Sequence, residues 1–311
     1  MVSDTQIDNV YVIDTSMFGF PNYQSCYLIE GEELVLIDTG LPTQIDSLYS
    51  GIEKHGFSSN DISKIILTHC EHPDHAGNVG TLVQENPAIQ VYIHPEGLEY
   101  LTEPSIESEN RKKVMLPQMA ARFGEQIPVP SSRIRFLKNG QIFDLGNNVR
   151  LRIMFTSGHQ PSGLIIFDEK NEGVFINDLV GNYFADADFS LVLTPPRSDV
   201  MEAKKTLEYL MELPISRFYM GHFGITRDPK CVMQRTLEGI ERIMDIAAEC
   251  AKEGKPEEIE KRVLESKMPE LEKLRLRRGE TLYEYTRKEL VTHHSAYFAQ
   301  YYLEKTVNKT I

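Results

Sequence analysis

Short apolar runs, broken by turn-forming glycine, asparagine and aspartate, recur along the first two-thirds of the chain and then stop. Residues 10–13, 26–29 and 34–37 read as strands, the last two joined as a hairpin through Gly31. From Thr43 the period changes. Ile45, Leu48, Tyr49 and Ile52 share one helical face, and Gly56 is a stop. A strand at 65–68, a helix over about 78–84 and a strand at 91–94 follow. This alternation predicts sheet layers covered by helices.

The pattern breaks at 95–130, where prolines stand at 95, 104, 117, 128 and 130. Arg111-Lys112-Lys113 precedes Met115, Met119 and Phe123, which share a face of a short helix. That helix either packs on its own domain or forms a mobile lid, whose methionines adapt to an apolar substrate or to a partner subunit in a homodimer. Strands resume at 134–137, 141–143 and 151–155, then at 164–167 and 174–176 as a hairpin through 169–173, and at 217–220. Between the last two, Ser198 N-caps a helix to about Leu213. After Asp228 only helical stripes remain, beginning with Met233, Leu237, Ile240 and Met244. The expected organisation is a sheet-rich domain over 1–228 and an all-helical extension over 229–311.

With 311 residues and 41% hydrophobic content, the chain can bury a substantial core. A net charge of −13 argues against nucleic acid or an anionic membrane as a partner. A small-molecule substrate is expected instead. No apolar run approaches a membrane span, and the start of the chain has no signal-peptide pattern. Cys26, Cys70, Cys231 and Cys250 are scattered without paired spacing, as expected of reduced thiols in a cytoplasmic protein.

The candidate chemistry sits at strand ends. The strand at 65–68 runs into His69-Cys70-Glu71-His72-Pro73-Asp74-His75, a density of nitrogen and oxygen donors that suits zinc, iron or manganese. Three further strands end on potential ligands, at His159, Asp178 and His222. Strands of one sheet place their ends along a common edge, so these residues are expected to meet. The strand at 34–37 likewise ends in Asp38-Thr39-Gly40.

In this order, Asp38-Thr39-Gly40, the histidine-rich loop with Ala76-Gly77-Asn78 behind it, Thr156-Ser157-Gly158-His159, Asn177-Asp178 and Gly221-His222 resemble the metallo-β-lactamase-fold superfamily. The resemblance covers most of residues 10–225. It implies an α/β (α+β) fold, a four-layer αββα sandwich, here with a C-terminal helical extension. It also implies two divalent metal ions, zinc foremost, with His69, His72 and His159 on the first and Asp74, His75 and His222 on the second. Asp178 would bridge the two, and Asp38 would orient a ligand from outside. The first motif departs from the family's His-x-His-x-Asp-His by one extra residue between the first two histidines. His72 is the expected ligand, with Glu71 turned to solvent or to an outer partner; the rival assignment makes Glu71 the ligand, as in flavodiiron proteins.

Two dications about 3.5 Å apart can hold a bridging water and lower its pKa towards neutrality. The expected activity is hydrolysis of a small ester, thioester or lactone, with the leaving-group proton supplied by a metal-bound water or by Asp74 if it is only weakly coordinated. The alternative is a di-iron oxidoreductase handling oxygen. Asn182, Tyr183 and Phe184, directly after Asp178, are expected to line the substrate pocket, and His294 on a C-terminal helical face with Leu290, Tyr297, Phe298 and Tyr301 to reach it. Resemblance to glyoxalase II stops at the metal motifs, because Phe223-Gly224-Ile225-Thr226 departs from it.

Overall fold

The computed structural model describes residues 6–114, 117–193, 195 and 197–288, without side chains at 110, 111, 114, 118 and 119. Strands β1 (Gln6–Ile7), β2 (Val10–Asp14), β3 (Ser25–Glu30), β4 (Leu34–Ile37), β5 (Ile62–Ile66), β6 (Gln90–Ile93) and β7 (Ile134–Phe136) lie side by side in that order in one sheet. A second sheet carries β8 (Ile142–Asp144), β9 (Arg150–Phe155), β10 (Leu164–Asp168) and β11 (Gly173–Asn177). After a separate hairpin of β12 (Asn182–Phe184) and β13 (Phe189–Leu191), β14 (Arg217–Met220) and β15 (Ile225–Thr226) extend the second sheet beyond β11. The expected hairpin of β3 and β4 is present, with Tyr27 opposite Ile37 and Leu28 opposite Leu36.

The unbroken apolar runs follow from burial on both faces of each sheet. Along β3, Cys26 and Leu28 point into one cluster with Leu48 and Ile52 of α1 (Ile45–Lys54). Tyr27 and Ile29 point the other way, against Ile153, Ile166 and Phe175 of the second sheet. The outer face of the second sheet, with Ile165, Val174 and Phe218, lies under further helices. The result is the four-layer αββα sandwich that the resemblance implied, built from the helix-covered sheet layers that the strand pattern predicted. Each fully buried Leu, Ile or Phe adds about 1.5–3 kcal/mol of hydrophobic stabilisation.

α2 (Pro73–Ala76) and α3 (Val79–Glu85) follow the histidine-rich loop. The proline-rich interruption contains α4 (Leu98–Thr102), α5 (Ser105–Val114) and α6 (Pro117–Phe123). Phe123 is buried against Phe18, with ring centroids 5.3 Å apart, so this end of the segment packs on its own domain. Met115 and the side chain of Met119 lie outside the described residues. α7 (Val200–Met211) is capped by Asp199 rather than Ser198; the Asp199 carboxylate accepts from the Glu202 N–H at 3.1 Å. An aspartate one residue later offers the stronger acceptor at the helix start.

α8 (Pro229–Glu253) starts at an Asp228 cap and ends at Gly254, which has φ 70°. Its Val232, Met233, Ile240 and Ile243 enter the same core as Val174 and Ile176 of β11. α9 (Ile259–Arg278) and α10 (Glu280–Tyr285) follow. His294 and its predicted helical face lie outside the described residues. No described helix is long and apolar enough to cross a membrane.

Candidate metal centre

Strand direction brings the donors together. β4 runs parallel to β5, and β11 parallel to β14. β9 points the same way as β11, because each is antiparallel to β10. The ends of β4 and β5 therefore open on one edge of the first sheet and those of β9, β11 and β14 on one edge of the second, and the two edges meet where Asp38, His69, His159, Asp178 and His222 stand. The loop after β5 folds back through α2, whose first turn carries Asp74 and His75.

Two groups of donors result. His69, His72 and His159 form one, and Asp74, His75, Asp178 and His222 the other, each with ligand atoms within 4.8 Å of one another. The three rings of the first group face each other edge-on, with centroids 5.1–5.4 Å apart. Asp178 Oδ2 stands between the groups, 3.4 Å from His75 Nε2, 3.5 Å from His222 Nε2 and 3.6 Å from His159 Nε2. His222 Nε2 is 3.7 Å from Asp74 Oδ2. These separations are long for hydrogen bonds. They match the ~3.4 Å between two ligands held ~2.1 Å from one tetrahedral ion.

Donor atoms from both groups lack partners. Both ring nitrogens of His69, the Nε2 atoms of His75 and His159, and Asp178 Oδ1 are buried without a hydrogen bond. A buried polar atom without a partner carries a penalty of about 1–3 kcal/mol. Several such atoms converging on one edge fit a pair of dications, and the donor set of imidazoles with carboxylates suits zinc.

The protein fixes the rings from behind. His75 Nδ1 lies 2.8 Å from Asp38 Oδ2, which turns its Nε2 towards Asp178. His222 Nδ1 donates to the Tyr23 carbonyl at 2.7 Å, and His159 Nδ1 faces the Leu193 carbonyl at 3.3 Å. Such outer contacts set the tautomer and the ring orientation of a metal ligand. Asp38 also accepts from the Thr68 N–H at 2.8 Å and the Thr68 hydroxyl at 2.7 Å. The Asn78 amide binds the carbonyls of Thr39, Gly40 and Leu41 and so pins the turn after β4. Asn78 belongs to the motif that follows the histidine-rich loop, whereas Tyr23 carries no sequence signal of its own.

Backbone strain marks the same edge. Asp38 has φ 56°, Asn177 φ 59° with ψ −155°, and Phe223 φ 70°. Conformations of this kind persist at functional sites only where surrounding contacts over-determine them. At Asn177 those contacts are its amide bonds to the Thr68 and Leu164 carbonyls, at 2.9 and 3.4 Å. Gly221 is required for another reason. A Cβ there would stand 2.7 Å from Asp178 Oδ1 and 2.7 Å from His75 Cε1. Gly221→Ala is therefore expected to displace the shared carboxylate and lower bound metal to one equivalent or less, measured by elemental analysis, with an unchanged circular dichroism spectrum.

The electrostatics divide the site. Burial pushes His159 down to about 3 and His69 well below the usual imidazole range, so both are neutral and ready to coordinate. His75 and His222 are also buried, but Asp178 and Asp74 outweigh that and raise both. Burial would raise Asp178 in turn; His75 and His222 instead hold it well below the usual carboxylate range. Anionic donors are concentrated on one side and neutral imidazoles on the other.

The other expected site residues that fall among the described residues are placed as follows. Glu71 is buried, not turned to solvent, and its carboxylate binds Ser162 and the Cys70 N–H away from both donor groups. Burial pushes the Cys70 thiol well up. Asn182, Tyr183 and Phe184 form a strand rather than an open loop. Asn182 donates to the Tyr23 hydroxyl at 3.4 Å, and the Tyr183 hydroxyl lies 3.7 Å from Cys231 Sγ. Phe184 is only 1% exposed, packed against Phe223 at 4.3 Å and Phe189 at 5.6 Å between ring centroids. An alternating strand next to a core sends its first and third side chains inward, as the buried Asn182 and Phe184 show. Phe184→Ala is expected to destabilise the fold by about 3–5 kcal/mol. A chemical denaturation midpoint equal to that of the parent would refute this placement.

Comparison with known proteins bears on the family and the fold. The chain is 28% identical over 173 residues to putative diflavin flavoprotein A 2 of Nostoc sp. (strain PCC 7120), covering 54% of this chain and 25% of that protein. It thus spans about a quarter of the length of that diflavin relative. It is 25% identical over 241 residues to the uncharacterized protein YobT of Bacillus subtilis (strain 168), covering 75% of this chain and 97% of that one. A metallo-beta-lactamase family protein from Thermus thermophilus shares the fold, with TM-score 0.62, 20% identity and coverage of 78% and 82% of the two chains. Residues 19–222, which include every donor described above, match the metallo-beta-lactamase superfamily, and the chain belongs to it.

Proposed function

We propose that this protein is a dinuclear metal-dependent hydrolase of a small ester, thioester or lactone, with zinc as its metal. The observation that carries this reading is the pair of donor groups sharing Asp178 Oδ2. His69, His72 and His159 would hold the first ion, and Asp74, His75 and His222 the second. Bound there, two dications supply Lewis acidity and a water whose pKa is drawn towards neutrality. Asp74 is the donor carboxylate best placed for proton traffic, since its side chain keeps 10% of its exposure while that of Asp178 keeps 3%. Only weakly coordinated, it would hold the proton and pass it to the leaving group. The Tyr23 ring lies beside His222, and around Tyr23 stand the partly exposed rings of Phe20, Phe223 and Tyr285, an aromatic rim against which the substrate would rest.

The similarity to a diflavin flavoprotein favours a second reading, a di-iron oxidoreductase with a separate electron donor. The placement of Glu71 speaks against it, because the first group then consists of three imidazoles with no carboxylate of its own. The test is metal content of the purified protein, followed by assays on ester, thioester and lactone panels after chelation and restoration with zinc or iron. Zinc-restored hydrolysis is expected. Iron in the purified protein together with oxygen consumption would overturn the hydrolase reading.

A further inference from the structure

Glu71 lies between two expected ligands of the first ion, yet it faces away from them. It is 5% exposed and Ser162 is fully buried. Oε1 accepts from the Ser162 N–H at 2.9 Å, and Oε2 from the Ser162 hydroxyl and from the Cys70 N–H at 3.1 Å. The Cys70 N–H also reaches Ser162 Oγ at 2.9 Å. One carboxylate thus ties together two loops that are 91 residues apart in sequence.

Both loops carry first-ion donors. His69 and His72 flank Glu71, and His159 belongs to the loop that ends at Ser162. That second loop is itself closed, since the Thr156 N–H donates to the Gly163 carbonyl at 3.0 Å and the Gly163 N–H to the Gln160 carbonyl at 2.9 Å. A shift of Ser162 is therefore passed to His159. From the other side, Gly97 packs so closely on Cys70 Sγ that a Cβ there would clash. The histidine-rich loop has no room to retreat. The extra residue that separates His69 from His72 is accommodated by the same contacts.

We propose that Glu71 and Ser162 form a latch that positions His69, His72 and His159 for the first metal ion, Glu71 acting as a positioning residue and not as a ligand. The proposal rests on the two-metal reading above. A carboxylate suits the task because it only accepts, and three buried donors point at it. Glutamine retains part of it, with one oxygen for the Ser162 N–H and an amide that can donate to the reoriented hydroxyl. Alanine retains none.

The test is zinc titration of the full-length, chelator-stripped protein against a chromophoric chelator, with thermal melts of each metal-free variant. The parent is expected to take up two equivalents. Glu71→Ala and Ser162→Ala should keep one tight equivalent and bind the other roughly 10–100-fold more weakly, a loss as large as that for a residue that touches the ligand directly. Glu71→Gln should stay near the parent. Ser162→Ala removes a single hydroxyl and keeps the test open if Glu71→Ala does not fold. Two tight equivalents in both Glu71→Ala and Ser162→Ala would overturn the latch. Loss of metal in Glu71→Gln as severe as in Glu71→Ala, with Ser162→Ala unaffected, would also overturn it and make Glu71 a ligand. A parent that binds fewer than two equivalents would instead defeat the two-metal reading on which the latch depends.

Discussion

Asp178→Ala is expected to release at least one of the two metal ions and to lower hydrolysis by roughly 10²–10³-fold, the scale of losing one electrostatic contact at a reacting centre. The reason is positional. Its Oδ2 stands 3.4–3.6 Å from three imidazole nitrogens that belong to both donor groups. No other described donor is shared in this way. The fold should survive, because the adjacent Leu179 and Val180 stay packed in the core beneath the second sheet. Losing the carboxylate also removes the partner that keeps His75 and His222 raised against the effect of burial. In the metal-free variant both rings should therefore titrate at lower pH, visible by NMR. Two bound metals in a folded Asp178→Ala protein would rule out the shared role.

Asp38→Ala is expected to act on both stability and metal binding. Its carboxylate accepts from the Thr68 N–H, the Thr68 hydroxyl and His75 Nδ1, all buried. Stranding these donors should lower stability by about 3 kcal/mol or more. Freed from Asp38, the His75 ring loses its fixed tautomer, and affinity at the second ion should fall roughly 10–100-fold. Asp38→Asn separates the two effects. It keeps the shape and one acceptor for the Thr68 N–H, so stability should largely recover while the second ion remains weak. Equal metal affinity in Asp38→Asn and the parent would show that the charge on Asp38 does not tune His75.

The layered fold was legible because burial on both sheet faces writes itself as unbroken apolar runs such as 26–29 and 34–37. Most of the site was legible for a related reason. His159, Asp178 and His222 each follow a strand, and parallel strand ends must share an edge. What did not show was side-chain direction after those ends. Phe184 turns into the core because residues 182–184 extend as a strand, while a short polar and aromatic run looks the same in an open loop. The identity of the outer partner of Glu71 was hidden for another reason. That partner, Ser162, is fixed by how two loops meet, and no local period records a contact of that separation. Ser198 and Asp199 illustrate the smallest scale, where two adjacent residues could both cap and only geometry chose between them.

The histidine-rich loop also has a consequence for how the chain matures. Four of the seven donors, His69, His72, Asp74 and His75, fall within one short segment, whereas His159, Asp178 and His222 arrive much later in synthesis. In the finished fold His72 and His75 serve different donor groups, but in an unfolded chain they are close enough to chelate a single ion. Metal captured that early would hold together residues that the native edge must separate, a kinetic trap of the kind larger proteins meet during folding. Refolding with free zinc present from the start should therefore be slower, or lower in yield, than refolding first and adding zinc afterwards.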